Sequence, residues 1–192
     1  MKEYPLLFQA DMVRAILAGR KTQTRRTQGL DVINKNPDEW KLIEFENGIV
    51  KCKSLIYSLV INIKCPFWAD QYWARETWSQ LSDVGRPLKK CLYRADYTPD
   101  DLRTDDFRNI IWKPSFFMPR WASRVQLKRT DIRCERLQEI GGADVRKEGC
   151  SEEYWRHPFD WWIPLWDSIN GKKHPWTENP WVFVLDFKRI EK

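Results

Sequence analysis

Hydrophobic and polar positions recur along this chain with two periods, and the switches between them divide it into elements. Met12, Val13, Ile16 and Leu17 fall at i, i+1, i+4 and i+5, one apolar face of an amphipathic helix. Gly19, the residue that most readily takes positive φ, closes it. A polar connection through Asn34, Asn36 and Pro37 follows. Trp40 to Phe45 then reads as a strand, Asn47-Gly48 as a type I′ hairpin turn and Ile49 to Ser54 as the returning strand. Leu55 to Lys64 is more apolar and is expected to be extended and partly buried. Tyr72 to Thr77 and Leu92 to Ala95 are further strands, and Trp112 to Ser123, with two prolines and four aromatics, is an irregular packed segment. Val125 and Leu127 alternate against Arg124, Gln126 and Lys128 in a half-buried strand with a basic outer face. Its phase shifts near Arg129-Thr130 and resumes at Ile132 and Cys134, which predicts a bulge or turn. A short helix covers Ala143 to Lys147. A longer one covers Pro158 to Ile169, with Phe159, Trp162, Ile163 and Trp166 as its core-facing stripe and Gly171 at its end. Trp181 to Ile190 closes the pattern as an alternating strand.

Many short strands with few helices between them, and no parallel strand–helix–strand series, predict an α+β or barrel-like architecture. The length of 192 residues, without internal repeats or low-complexity linkers, predicts a single domain over 1–192.

Composition narrows the picture only a little. Thirty-three bases against 27 acids give a net charge of +6, which suits an anionic partner such as nucleic acid. The five cysteines are widely spaced with no C-x-x-C pair, and only His157 and His174 could add imidazole ligands, so no metal or other cofactor is expected. Asp96, Asp100, Asp101, Asp105 and Asp106 read as a solvated acidic loop. The N-terminus has no apolar stretch followed by small residues. The run from Leu55 to Ile63 is too short to span a bilayer. A cytoplasmic protein with no membrane partner is therefore expected. The 12 tryptophans, interleaved with bases, can be stacking platforms for single-stranded nucleic acid, although each taken singly is more often core.

One stretch, Gly19-Arg20-Lys21-Thr22-Gln23-Thr24-Arg25-Arg26, is harder to explain by packing. It sets two hydroxyls among four cations, with no acid from Met12 to Leu30. A plain structural reading has Arg20 and Lys21 complementing the helix dipole and the threonines sitting in a strand. The stretch resembles, however, the G-x-K-T-x-T-x-R signature of the ASCH-domain family within the PUA-like superfamily. Ala143 to Gly149 resembles that family's A-x-x-x-x-E-G element. Trp73 to Trp78, Met118 to Arg124, Leu165 to Asn170 and Asn179 to Trp181 are similar to segments of its larger, often prophage-encoded members. The resemblance leaves 31–64 and 83–109 as insertions.

The resemblance implies a PUA-like mixed β-barrel flanked by short helices, with β-rich and loop insertions, and a cleft lined by the motif. It also implies a nucleoside or nucleic-acid base as ligand. Small bacterial relatives hydrolyse the acetyl amide of N4-acetylcytidine. Their roles would place the proton acceptor on Lys21, the nucleophile on Thr24 and the proton donor on Glu148. Arg20, Thr22, Arg26, Arg75 and Glu76 would contact the substrate. Arg120, Arg124 and Lys128, with Arg129, could track a phosphate backbone.

The chemistry is coherent. A threonine hydroxyl needs a neighbouring base, and a lysine can serve if burial or nearby cations lower its pKa. Glu148 would need the opposite tuning to protonate the leaving amine. A geometric condition follows. In a regular strand Lys21 and Thr24 point to opposite faces, so only a turn or 3₁₀-like exit after Gly19 brings them together. Two other readings compete: a non-catalytic reader of RNA or modified bases, and a phage-associated accessory protein marked by an exposed apolar patch.

Overall fold

A computed structural model describes residues 1–83, 86–98, 100–104 and 110–191. Asp105 and Asp106 of the acidic loop, with other positions of the 83–109 insertion, lie outside the described residues. The described elements are β1 (Glu3–Leu7), α1 (Ala10–Leu17), β2 (Gln23–Arg26), β3 (Trp40–Glu46), β4 (Ile49–Ser54), β5 (Val60–Lys64), β6 (Gln71–Arg75), β7 (Trp78–Asp83), β8 (Arg86–Tyr93), β9 (Gln126–Arg136), α2 (Gly142–Lys147), α3 (Pro158–Asn170) and β10 (Trp181–Arg189). The fold is α+β. No helix among the described residues is long and apolar enough to cross a membrane. All five cysteines are free.

The chain forms two compact units, each assembled from separated segments. The first comprises Met1–Gly19, Ala69–Lys128 and Lys188–Lys192. In it β1 runs parallel to β6, with Glu3 opposite Gln71 and Leu7 opposite Arg75. The other edge of β6 pairs antiparallel with the start of β9, Tyr72 opposite Leu127. The apolar face read from Met12 to Leu17 is the buried side of α1, through Val13, Ala15 and Ile16, and Gly19 follows at φ 74°. β7 and β8 form a hairpin, and Trp78, Met118 and Ala122 bury a small core beside them.

The second unit comprises Arg20–Trp68 and Arg129–Phe187. Here β2 pairs antiparallel with β10, Gln23 opposite Asp186 and Arg26 opposite Phe183, and β10 has β9 as its other neighbour. Leu137, Ile140, Val145, Cys150, Trp162, Trp166, Val182 and Val184 form the core on which α2 and α3 pack. The tryptophan stripe of α3 is core, as its spacing predicts. β3, β4 and β5 make a separate three-stranded antiparallel sheet. Asn47 and Gly48 join β3 to β4 with φ of 50° and 76°, the two positive values a type I′ turn requires.

Three expectations need correction. No strands close into a barrel among the described residues. β3 and β5 are outer strands of their own sheet, β7 and β8 pair with each other, β1 pairs with β6 and β2 with β10. Each set stops at an unpaired edge, so closure has no partner strand. The segment from Leu55 to Leu59 is exposed rather than partly buried, because the chain turns there between β4 and β5. The phase shift near Arg129 is present, burial passing from Leu127 to Ile132 and Cys134, but it lies inside one unbroken strand, so the turn alternative is excluded. β1 and β7 were not anticipated. Each is short, and a sheet partner rather than a strong period defines it.

Candidate functional site

The second unit gathers a cluster of buried charge around the motif. Gly19 ends α1's turn, and the chain leaves it extended. Lys21 forms an antiparallel bridge with Glu148, and the Thr22 amide donates to the Lys147 carbonyl at 2.8 Å while the Thr22 carbonyl accepts from Phe187. The short helix α2 thereby ends against the motif, and Glu148, the residue that caps it, faces Lys21.

Lys21 Nζ donates to Glu148 Oε2 at 2.6 Å and to the Glu148 carbonyl at 2.8 Å. Lys21 and Glu148 are 2% and 3% exposed. Burial pushes the Lys21 ammonium below its ordinary range; Glu148 opposes that shift, while Arg26 and Arg25 reinforce it. Arg25 reaches the same carboxylate from the other side, Nη1 to Oε1 at 3.2 Å. It also donates to Gln23 Oε1 at 2.6 Å and to Glu135 Oε1 at 2.7 Å. Gln23 in turn donates to Asp186 Oδ1 at 2.7 Å. Arg133 ties the rim together through Glu135, Asp144 and Asp186 at 2.7–3.0 Å. Burial alone would raise the Asp144 carboxyl, but its hydrogen bond from Lys147 and the charges of Lys147, Arg25 and Arg133 outweigh it and hold the group low.

Two donors in this cluster have no acceptor. Arg25 Nε and Trp162 Nε1 are buried without a hydrogen-bond partner, and the Arg25 guanidinium lies 5.9 Å from the Trp162 ring centroid. A buried unsatisfied donor costs about 1–3 kcal/mol. The site is thus rich in fixed charge yet not closed upon itself.

The contacts follow strand alternation. Lys21, Gln23 and Arg25 share one face, since Lys21 and Arg25 both reach Glu148 and Arg25 reaches Gln23. Thr24 is buried, sits opposite Leu185 of β10, and by the same alternation faces the other way. Among the described residues Lys21 Nζ donates to Glu148 alone. The structure therefore brings Lys21 and Glu148 together and does not join Thr24 to them. Arg20 donates to the Gly149 carbonyl at 3.1 Å. Arg26 contributes a positive charge to the Lys21 environment.

The remaining expected residues, Arg129 excepted, belong to the first unit. Glu76 is buried and paired with Arg124, Oε1 to Nε at 3.0 Å and Oε2 to Nη2 at 3.1 Å. Burial raises its carboxyl against that pull. Arg124 also meets Asp96 and lies 4.0 Å from the Tyr93 ring centroid, and Arg120 is held by both oxygens of Glu3. These two arginines are committed to carboxylates, while Lys128 is exposed on β9. Arg129, in the second unit, stacks over Trp68 at 4.1 Å.

Sequence reasoning saw Arg25 only as a cation beside Lys21, and passed over Gln23, Arg133, Glu135, Asp144, Asp186 and Trp162. A signal existed for some of them. Residues i+2 and i+4 from Lys21 on a strand share its face, and Asp144 lies one helical turn before Glu148. Comparison with family models finds no match, and comparisons with curated proteins and with solved structures find none either.

Proposed function

We propose that the chain is a PUA-like protein of the ASCH kind whose Lys21 site takes a nucleoside or nucleic-acid base and hydrolyses an N4-acyl cytidine-type amide. The observation that carries this reading is the buried 2.6 Å contact between a lysine whose pKa is lowered and a carboxylate. Such a pair suits acid–base work: Lys21 accepts the proton of the attacking hydroxyl, whose oxygen bonds to the acyl carbon as the amide C–N bond breaks; the proton passes through Glu148 to the departing N4 amine, and water then hydrolyses the acyl ester to the free acid. Arg25, with one N–H unsatisfied, is the donor best suited to an acceptor atom of the base.

In its direct form the Thr24 hydroxyl attacks the carbonyl carbon, and it must turn to the Lys21 side of β2 to do so. Its separation from Lys21 favours a second reading, in which the site recognises a modified base without cleaving it.

Cytidine release from N4-acetylcytidine, followed by chromatography for wild type and the variants Lys21→Ala, Thr24→Ala and Glu148→Gln, tests both. Release by wild type that disappears in Lys21→Ala and Glu148→Gln, with circular dichroism unchanged, supports hydrolysis. Release that survives in Thr24→Ala removes threonine as the nucleophile. No release by wild type sinks this substrate, and binding of an acetylcytidine oligonucleotide without turnover then supports the reader.

A further inference from the structure

The first unit carries an aromatic–cation ladder that shares no residue with the Lys21 cluster. The Arg75 guanidinium lies 4.9 Å from the Trp73 ring centroid and 5.8 Å from that of Phe116. Phe116 meets Phe117 edge to face at 5.5 Å, and Arg120 lies 5.8 Å from Trp73 on the ladder's other end. Phe116 and Phe117 are 64% and 66% exposed, and Trp121, a few residues on, is 52% exposed. Packing among the described residues of the unit does not account for this exposure. Trp78 and Met118 already bury the small core of this segment, and the two phenylalanines stand outside it.

Charge separates Arg75 from its neighbours. Arg120 is neutralised by Glu3 and Arg124 by Glu76 and Asp96. Arg75 makes no side-chain hydrogen bond or ion pair among the described residues, and its Nε is buried without a partner. A guanidinium beside two rings and without a protein acceptor retains hydrogen-bonding capacity for an outside anion. A ligand for this surface must therefore offer planar apolar faces to Phe116 and Phe117 and an anion to Arg75. A purely apolar protein surface would bury the rings but leave the Arg75 donors unmet. A duplex hides its base faces. An unpaired polynucleotide offers both groups at alternating positions.

We infer that this ladder is a stacking platform for a short stretch of single-stranded nucleic acid, with bases on Phe116 and Phe117 and a phosphate on Arg75. The platform stands independently of the Lys21 reading.

Fluorescence anisotropy with labelled oligo-dT and oligo-rU of about twelve nucleotides, beside a duplex of equal length, tests it. Wild type is expected to prefer the single strands. The double variant Phe116→Ala/Phe117→Ala, whose removed rings are mostly solvent-facing, should keep its circular dichroism and lose about tenfold or more in affinity. Arg75→Gln should flatten the plot of log affinity against log salt by about 0.7–1 unit. Cleavage of free N4-acetylcytidine by the double variant at the wild-type rate would separate the platform from the Lys21 site. Equal binding of duplex and single strand, or full affinity in the double variant, overturns the inference. So does an absence of oligonucleotide binding, including the case where the two phenylalanines instead govern self-association of the protein.

Discussion

At the scale of single residues, the energetics of Lys21 and Glu148 are set by what each would cost alone. Removing one partner of a buried pair leaves an uncompensated charge, a loss of about 3–5 kcal/mol, whereas replacing both with apolar residues is often neutral. Glu148→Gln is expected to destabilise by roughly that amount, softened because the Lys21 hydrogen bond to the Glu148 carbonyl survives. Lys21→Met combined with Glu148→Leu should recover most of the loss in urea unfolding, although Arg25 then loses one of its acceptors. The lowered Lys21 pKa also fixes a sign. Between its folded value and the ordinary lysine value of 10.5, the unfolded chain holds the proton and the folded chain does not. Stability therefore rises with pH across that alkaline window, and Lys21→Met should abolish the rise. Lys21 and Glu148 were legible in the sequence through the motif, and Gln23 and Arg25 through alternation. Glu135, Arg133 and Asp186 were not, because charge on a strand reads as a solvated face until its neighbouring strand is known.

At the scale of elements, the hairpin between β3 and β4 shows how a local signal can carry a longer-range contact. Asn47-Gly48 specified the turn correctly, since both residues adopt positive φ. What the dipeptide did not reveal is that the absent side chain of Gly48 makes room for Trp68. A Cβ built there would collide with the Trp68 ring, which also packs edge-on against Phe45 at 6.0 Å. Gly48→Ala combines left-handed backbone strain with this collision, so we expect a loss of about 1–3 kcal/mol. Thermal unfolding should show it as a fall of several degrees. Trp68→Ala in the same background should relieve the collision while leaving the strain, and the two substitutions should then be non-additive. α1 and α3 were legible because burial of one face or stripe fixes them locally, and β10 because its apolar run from Trp181 to Leu185 is buried on both faces. β1 and β7 lacked such a pattern and are strands because of what they pair with.

At the scale of the whole molecule, both compact units are built from segments far apart in the chain, and no composition shift marks where one gives way to the other. The second unit joins its two halves across the intervening 69–128 segment, and the candidate site sits on that join. Lys21 and Glu148 are 127 residues apart and Gln23 and Asp186 are 163 apart. Loop closure over such distances is entropically unfavourable until many contacts form together, so the chain should refold in milliseconds to seconds. The charge cluster gains little before water is excluded from it, which makes it a late event. Its contacts are therefore expected to be largely unformed in the folding transition state, with φ-values below about 0.3. In stopped-flow chevrons Glu148→Gln should steepen unfolding in proportion to its lost stability and leave the folding rate almost unchanged. A matching fall in the folding rate would instead place the Lys21–Glu148 contact in the nucleus. The motif would then organise folding as well as the site.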